Sequence, residues 1–396
     1  MQSDKLTRSV MPAVVMLSLA LAIRQMSMTI VMPFLSTYCK LLPGYTPVLA
    51  GLAIGIFGLM QAIFQIPFGI LSDRYGNKKM MILGLTQVVI GLVIAYFSSN
   101  IVLLIFARAL QGSGAVIGVG YSWVAGMADE KHQVKAMSIL GAFISAAAAL
   151  AFAVGPILRG LMSVNWMFLS CAILLFINEM YILFFLKDSK SKKKVESPQN
   201  GQIHILLKDK NFVLMNLAAF LNNYMMMSVF YVVPIYLTKV TGEKGMWKVF
   251  VPAIIIAILV MKVAVKLTQK GLNNQVLMGS FLVSAISIIL FFKQSSYIFL
   301  LIGTTLFMCG YISLATIVAT NVNQATADDC RGTANGIFNS FQYVGSFVGS
   351  IVTGAIYGKS NKLTLIIVIV VGIIGFLLVA IGKPSVNKIQ EPGELK

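Results

Sequence analysis

The chain has 396 residues, of which 58% are hydrophobic and only 11% charged, and its mean hydropathy is +0.86. A soluble domain is about a quarter charged and at most about half apolar, so the composition excludes an ordinary soluble protein and predicts an all-α, polytopic membrane protein. The net charge of +18 does not imply nucleic acid, because the basic residues sit in short segments between apolar runs. Four cysteines (Cys39, Cys171, Cys309, Cys330) and two histidines (His132, His204) are scattered without metal-site or disulfide spacing, so no metal, cofactor or catalytic group is expected.

A membrane-crossing helix needs about 20 apolar residues. Twelve stretches supply them: 10–38, 47–71, 80–97, 101–126, 136–161, 165–186, 212–237, 246–267, 275–292, 297–320, 333–357 and 363–381. They are too long and too evenly apolar for barrel strands. The first has no small-residue cleavage site and reads as retained. Lysine and arginine concentrate in the loops on the side of both termini, notably Arg74, Lys78 and Lys79 and the run between 187 and 210, so both termini are expected in the cytoplasm. The domain expectation is an N-terminal six-helix bundle (1–186), a cytoplasmic linker (187–211) containing KDSKSKKKVESPQNG, and a C-terminal six-helix bundle (212–396). The linker composition suits a mobile tether drawn to anionic lipid. Sliding the chain so that Gly76 meets Gly271 also sets Gly84 on Gly279 and Gly141 on Gly336. Loop then falls on loop and span on span, as in the duplicated halves of secondary transporters.

The loop after span two reads GILSDRYGNKK (69–79), span four carries RALQGSGA (108–115), and span five ends GPILRG (155–160). The first resembles the G-x-L-x-D-R-x-G-R-K loop of the major facilitator superfamily through Gly69, Leu71, Asp73, Arg74, Gly76 and Lys78, with Asn77 replacing a basic residue. The second is similar to the R-x-x-Q-G-x-G-A motif of that superfamily's drug:proton antiporter branches. The third resembles their Gly-Pro antiporter motif at Gly155, Pro156 and Gly160, with Arg159 in place of a glycine. The stretches 52–76, 246–250 and 331–338 resemble YajR-like bacterial transporters. Such proteins usually carry a soluble C-terminal domain. The chain stops about fifteen residues after its last span, so that domain is expected to be absent.

The resemblance implies twelve helices in two pseudo-symmetric bundles around a central cavity that opens alternately to either side. It implies that Asp73 helps close the cytoplasmic face against the start of span eleven, near 331–335. It also links Arg108 to proton coupling. An acid that often ends span four in the family is replaced by Gly126, with Asp129 and Glu130 following, so the ionic latch is expected to be thin or rebuilt from neighbours.

Charge inside a span is costly and marks function by default. Arg24 lies mid-span in helix one. It either faces the cavity and attracts an anionic or polar substrate group, or is a structural arginine satisfied by helix-end carbonyls or glutamines. Glu179 in span six is the one acid placed within lipid. With Asp73 and Arg108 it completes the proton-coupling candidates, although span six is peripheral in the superfamily. Lys262, Lys266 and Lys270 read as snorkelling anchors. The remaining cavity candidates are Gln61 and Gln65 in span two, Gln111 and Tyr121 in span four, Asn222, Asn223 and Tyr231 in span seven, Tyr311 in span ten, and Asn339 and Gln342 in span eleven. Each could equally be a helix–helix hydrogen bond. The methionines at 225–227 offer an adaptable apolar surface.

The expected function is a secondary transporter of the bacterial inner membrane, not an enzyme: a monomeric, proton-coupled exporter of amphipathic small molecules, partnered by substrate, protons and lipid. No nucleotide-binding P-loop motif is present, so an ion gradient is the expected energy source. The rival reading is an importer or exchanger of organic anions, favoured by Arg24, Arg108 and the scarcity of membrane acids. A membrane enzyme or non-transporting receptor is the remote alternative.

Overall fold

The structure, a computed structural model, describes residues 2–127, 130–186, 188, 200–326 and 331–384. Among them every regular element is helical. The chain divides into two compact units, Met1–Ser197 and Pro198–Lys396.

In the first unit the helices are α1 (Gln2–Thr29), α2 (Leu35–Cys39), α3 (Pro47–Tyr75), α4 (Asn77–Tyr96), α5 (Ile101–Ser113), α6 (Val116–Met127), α7 (Glu130–Leu161) and α8 (Val164–Phe185). Two expected continuous spans are broken. Span one stops at Thr29, passes through a 3-10 turn at Met32–Phe34 that contains Pro33, and resumes as α2; a proline inside a helix removes a donor and clashes with the preceding turn. Span four is interrupted at Gly114, whose φ of −74° and ψ of 64° leave the helical region. Helix starts follow local capping chemistry. The Thr46 hydroxyl accepts from the Leu49 amide at 3.1 Å ahead of Pro47, and the Asn100 carbonyl oxygen accepts from the Leu103 amide at 2.9 Å.

In the second unit they are α9 (Asn200–Lys208), α10 (Lys210–Thr241), α11 (Trp247–Gln269), α12 (Asn273–Leu290), α13 (Tyr297–Ala325), α14 (Arg331–Tyr357) and α15 (Asn361–Gly382). The 187–211 segment, expected as a tether, thus contains a helix and the start of another. Apart from Asp188, its remainder before residue 200 lies outside the described residues, as do Asp129 and the side chain of Arg331. Among the described residues, eleven helical segments are long and apolar enough to cross a membrane. The remaining span, α14, is a 27-residue helix rich in Ser, Asn, Gln and Gly.

The packing repeats. α1 lies on α7, α3 and α4 on α5, and α4 on α8; in the second unit α10 lies on α14, α11 and α12 on α13, and α12 on α15. Glycine permits the closest crossings. A Cβ on Gly112 would collide with the Phe57 carbonyl, and one on Gly345 with the Phe220 carbonyl. The outer faces are apolar stripes at helical spacing, such as Ile63, Ile66 and Ile70 of α3 and Ile366, Val370, Ile373 and Leu377 of α15, exposed along their length. Water would penalise such faces, whereas lipid accommodates them.

Candidate functional site

The polar core of the first unit is built on Arg24 and Arg108, both 0% exposed. Arg24, on α1, donates through Nη2 to Gln61 Oε1 and to the Gly114 carbonyl, each at 3.3 Å. Arg108, on α5, donates through Nη1 to Gln111 Oε1 at 2.7 Å and through Nε to the Ala53 carbonyl at 3.4 Å, and its Nη2 lies 3.5 Å from Met32 Sδ. Gln111 in turn donates to the Gly91 carbonyl of α4 at 3.0 Å. Phe57 of α3 serves both arginines: its ring centroid is 5.9 Å from Arg24 Cζ and 4.8 Å from Arg108 Cζ, within cation–π range.

The two arginines strap each other's helix. Arg24 belongs to span one and bonds the carbonyl at the break in span four. Arg108 belongs to span four and reaches Met32 at the break in span one. Arg24 thus satisfies a carbonyl at the break in span four, which limits the cost of irregular backbone at membrane depth, while Arg108 meets the break in span one only through the Met32 thioether. Gly155 of the span-five motif joins them: a Cβ there would sit 2.5 Å from the Ile30 carbonyl, so α7 backs directly onto the span-one break. Arg24 and two of the motifs, 108–115 and 155–160, therefore converge on two interruptions. Arg24 has the helix-end carbonyl and glutamine partners that the structural alternative required.

The other candidates are spread out. Gln65, 8% exposed, sits one turn beyond Gln61 beside Gly118 of α6. The Tyr121 hydroxyl lies against Gly141 of α7. Pro156 and Gly160 lie near the end of α7, where Arg159 Nη1 donates to the Met162 carbonyl at 3.2 Å. Glu179 of α8, 4% exposed, shares a hydrogen bond with the Thr86 hydroxyl of α4; it sits on the α4–α8 seam, apart from the arginine pair.

In the 69–79 loop, Asp73 and Arg74 are exposed, and Arg74 Cζ lies 5.4 Å from the Tyr75 ring centroid. A Cβ on Gly69 would meet nothing within 4 Å, so no described helix of its unit packs closely on it. Gly76 turns the chain with φ of +95°, a conformation that favours glycine. Asp188, just past span six, was not singled out from the sequence. Its Oδ1 accepts from the Lys78 amide at 3.3 Å, and its Oδ2 lies 2.6 Å from where a Gly76 Cβ would be. Lys78 Nζ also donates to the Leu183 carbonyl at 2.7 Å. The loop is therefore clamped to the exit of span six. The available signal was one acid standing at a span end among lysines.

The second unit has no counterpart to the arginine pair: sliding Gly76 onto Gly271 sets Arg24 on Ala219 and Arg108 on Gly303. Its buried polar groups are amides and hydroxyls. Asn222 Nδ2 donates to the Tyr311 carbonyl at 3.2 Å and Asn223 Nδ2 to the Ala219 carbonyl at 2.9 Å. The Ser228 hydroxyl reaches the Tyr224 carbonyl at 2.9 Å, and Thr353 Oγ1 bonds Ser228 Oγ at 2.8 Å, tying α10 to α14. Tyr231 packs edge-on against Tyr357 at 5.5 Å, and Tyr311 stacks on Phe307 at 6.2 Å. Asn339 and Gln342 are half-buried on α14. Phe57, Met32, Ser228 and Thr353 were missed, because an apolar or hydroxyl residue within a span carries no motif of its own.

A duplicated helical bundle with strapped, discontinuous helices defines a polytopic membrane transporter. The Major Facilitator Superfamily model matches residues 17–350, and the chain belongs to that family, whose members are transporters and not enzymes. It is 27% identical over 376 residues to the inner membrane transport protein YajR of Escherichia coli, covering 94% of this chain and 82% of that one. A shorter match, 28% over 147 residues and 36% of each chain, is to the class B tetracycline resistance protein of Escherichia coli. In structure it is similar to a point mutant of the nucleoside transporter NupG, with a TM-score of 0.76 at 13% identity, covering 93% of this chain and 99% of that one.

Proposed function

We propose that this transporter is a proton-linked exporter of amphipathic small molecules, working as a monomer in the bacterial inner membrane with both termini in the cytoplasm. Two bundles, 1–186 and 212–396, alternate access to a polar cavity, and the 187–211 segment joins them. The observation that carries this reading is Arg108 of the antiporter-like RALQGSGA motif. It is fully buried, held by neutral partners only, and placed between two helix breaks. Discontinuous helices at mid-membrane are where secondary transporters handle cargo and coupling ions. A guanidinium without a fixed counter-charge responds strongly to any proton or anion arriving nearby. Partial similarity to the multi-drug resistance efflux pump PmrA of Streptococcus pneumoniae, 31% identical over 172 residues and 41% of this chain, supports the efflux direction. Asp73, Arg74 and Lys78, with Gly69 and Gly76, form the cytoplasmic gate, and Glu179 is a secondary proton candidate.

The test is flux in proteoliposomes under an imposed pH gradient. Substrate movement that follows the gradient and ceases with a protonophore is expected; flux indifferent to both pH and membrane potential would overturn proton coupling. The rival reading, an importer or exchanger of organic anions, is favoured by the same uncompensated charge. Arg24→Gln separates them: loss of anion flux with cation efflux retained supports the rival.

A further inference from the structure

We propose that the second unit holds one phospholipid with an anionic headgroup, its acyl chain lying in a groove between α11 and α12 and its phosphate meeting Lys270 and Lys266. This inference does not depend on the cargo, the coupling ion or the direction of transport.

The groove follows from how three helices pack. α11 and α12 each lie along α13 but touch one another little. Between them is an open channel of about 310 Å³, walled by Val263 and Leu267 of α11 and by Val276 and Gly279 of α12, with Cys309 and Gly310 of α13 on its floor. Its lining is apolar apart from Gln275 and Ser280 of α12 and Ser313 of the floor. From Val260 to Leu267 it runs along about 10 Å of helix, room for part of an alkyl chain. It opens on the outer face of the unit, where Val263 is 57% and Val260 41% exposed. Gly279 leaves it unobstructed, since a Cβ there would meet nothing within 4 Å.

Charge specifies the occupant. Lys262, Lys266 and Lys270 recur at one-turn intervals along α11 and its end, with Lys266 and Lys270 exposed. Lys270 caps α11 at the groove mouth, between the lining residues Leu267 and Leu272, and Lys266 stands one turn before it. The first turn of α12 begins just beyond, at Asn273, without a side-chain cap, so its free amides add positive potential. No acid occurs on α11, α12 or α13. A basic mouth over an apolar slot between spanning helices selects an anionic lipid of the leaflet it faces. A zwitterionic lipid would gain the slot without the charge contact.

The test is native mass spectrometry of the purified full chain, titrated separately with phosphatidylglycerol and phosphatidylcholine of identical acyl chains. The first phosphatidylglycerol is expected to bind about 25-fold more tightly than the first phosphatidylcholine, at about fivefold for each engaged lysine. The exposed double variant K266Q/K270Q should abolish that preference. The plug Gly279→Leu should remove the first tight phosphatidylglycerol while keeping the lysines. Val263→Trp, at an exposed position, is a second plug should Gly279→Leu fail to fold. Equal affinity for the two lipids in the wild type, or wild-type phosphatidylglycerol binding by either the lysine variant or a folded plug, overturns the proposal.

Discussion

The two units share a packing scheme but not a polar core. In the first, two fully buried arginines strap the breaks in spans one and four; in the second, span seven and span ten run unbroken as α10 and α13, and hydroxyls and amides bond backbone carbonyls. Duplication has kept what packing demands, the close crossings of span five on span one at Gly155 and of span eleven on span seven at Gly349, and let the chemistry diverge. A buried cation must be answered by acceptors, and a helix break releases them. A hydroxyl can turn to a carbonyl of its own helix four residues back, as Ser228 does, so no break is needed. Arg24 and the break at Gly114 thus belong to one design, and the second unit, with no buried arginine among its described residues, needs no such break.

The largest expected effect tests the shared part. Gly155→Val and Gly349→Val each drive side-chain atoms into a backbone carbonyl, of Ile30 and of Tyr224, that cannot retreat, at a cost of about 3 kcal/mol. Thermal melting in detergent should fall for both by similar amounts. A unit that tolerates the change would show that the crossings are not equivalent.

Next comes the part that differs. Arg108→Met removes a buried charge with no carboxylate partner and keeps much of its length. Desolvation relief then offsets the lost hydrogen bonds, so the melting temperature should hold or rise slightly while transport falls to background. A large loss of stability would mean that the guanidinium serves the fold first. In the second unit, Thr353→Val breaks a single hydroxyl contact between α10 and α14 and should cost about 1 kcal/mol, with transport largely retained.

The sequence reading found twelve spans, the duplication and the three motifs because each is a local pattern: apolar runs, repeated glycines and fixed spacings. It did not find the breaks. Gly114 lies inside a long apolar stretch, and nothing local distinguishes it from Gly118 or Gly120, which stay helical. Its departure goes with Arg24, 90 residues away in the chain, which is tertiary information. The same holds for α9: lysine, serine and proline dominate the segment before it, and its helix rests on α10 and α14 rather than on its own composition. Arg24 was read correctly as buried and central, but its choice between ligand and carbonyl depended on a break that the pattern does not encode.

The smallest expected effect concerns the 69–79 loop. The family's usual basic residue at 77 is Asn77 here and its usual acid at 126 is Gly126, so the expected ionic latch lacks two members. Asp188 supplies a carboxylate from a different place, at the first turn of α4, where the helix dipole favours it. Because Asp188 is exposed, its contact is screened and its contribution modest. Asp188→Asn keeps an acceptor and should change little. Asp188→Ala should speed hydrogen exchange at the Lys78 amide by less than about fivefold without shifting the melting temperature. Gly76→Ala should do more, because it combines a positive φ with a Cβ facing Asp188. If Asp188→Ala leaves exchange at Lys78 unchanged, the carboxylate is not what fixes the loop, and the Lys78 ammonium on the Leu183 carbonyl must hold it alone. Lys78→Met then becomes the variant that frees the loop, and the ordering of the two effects assigns the clamp.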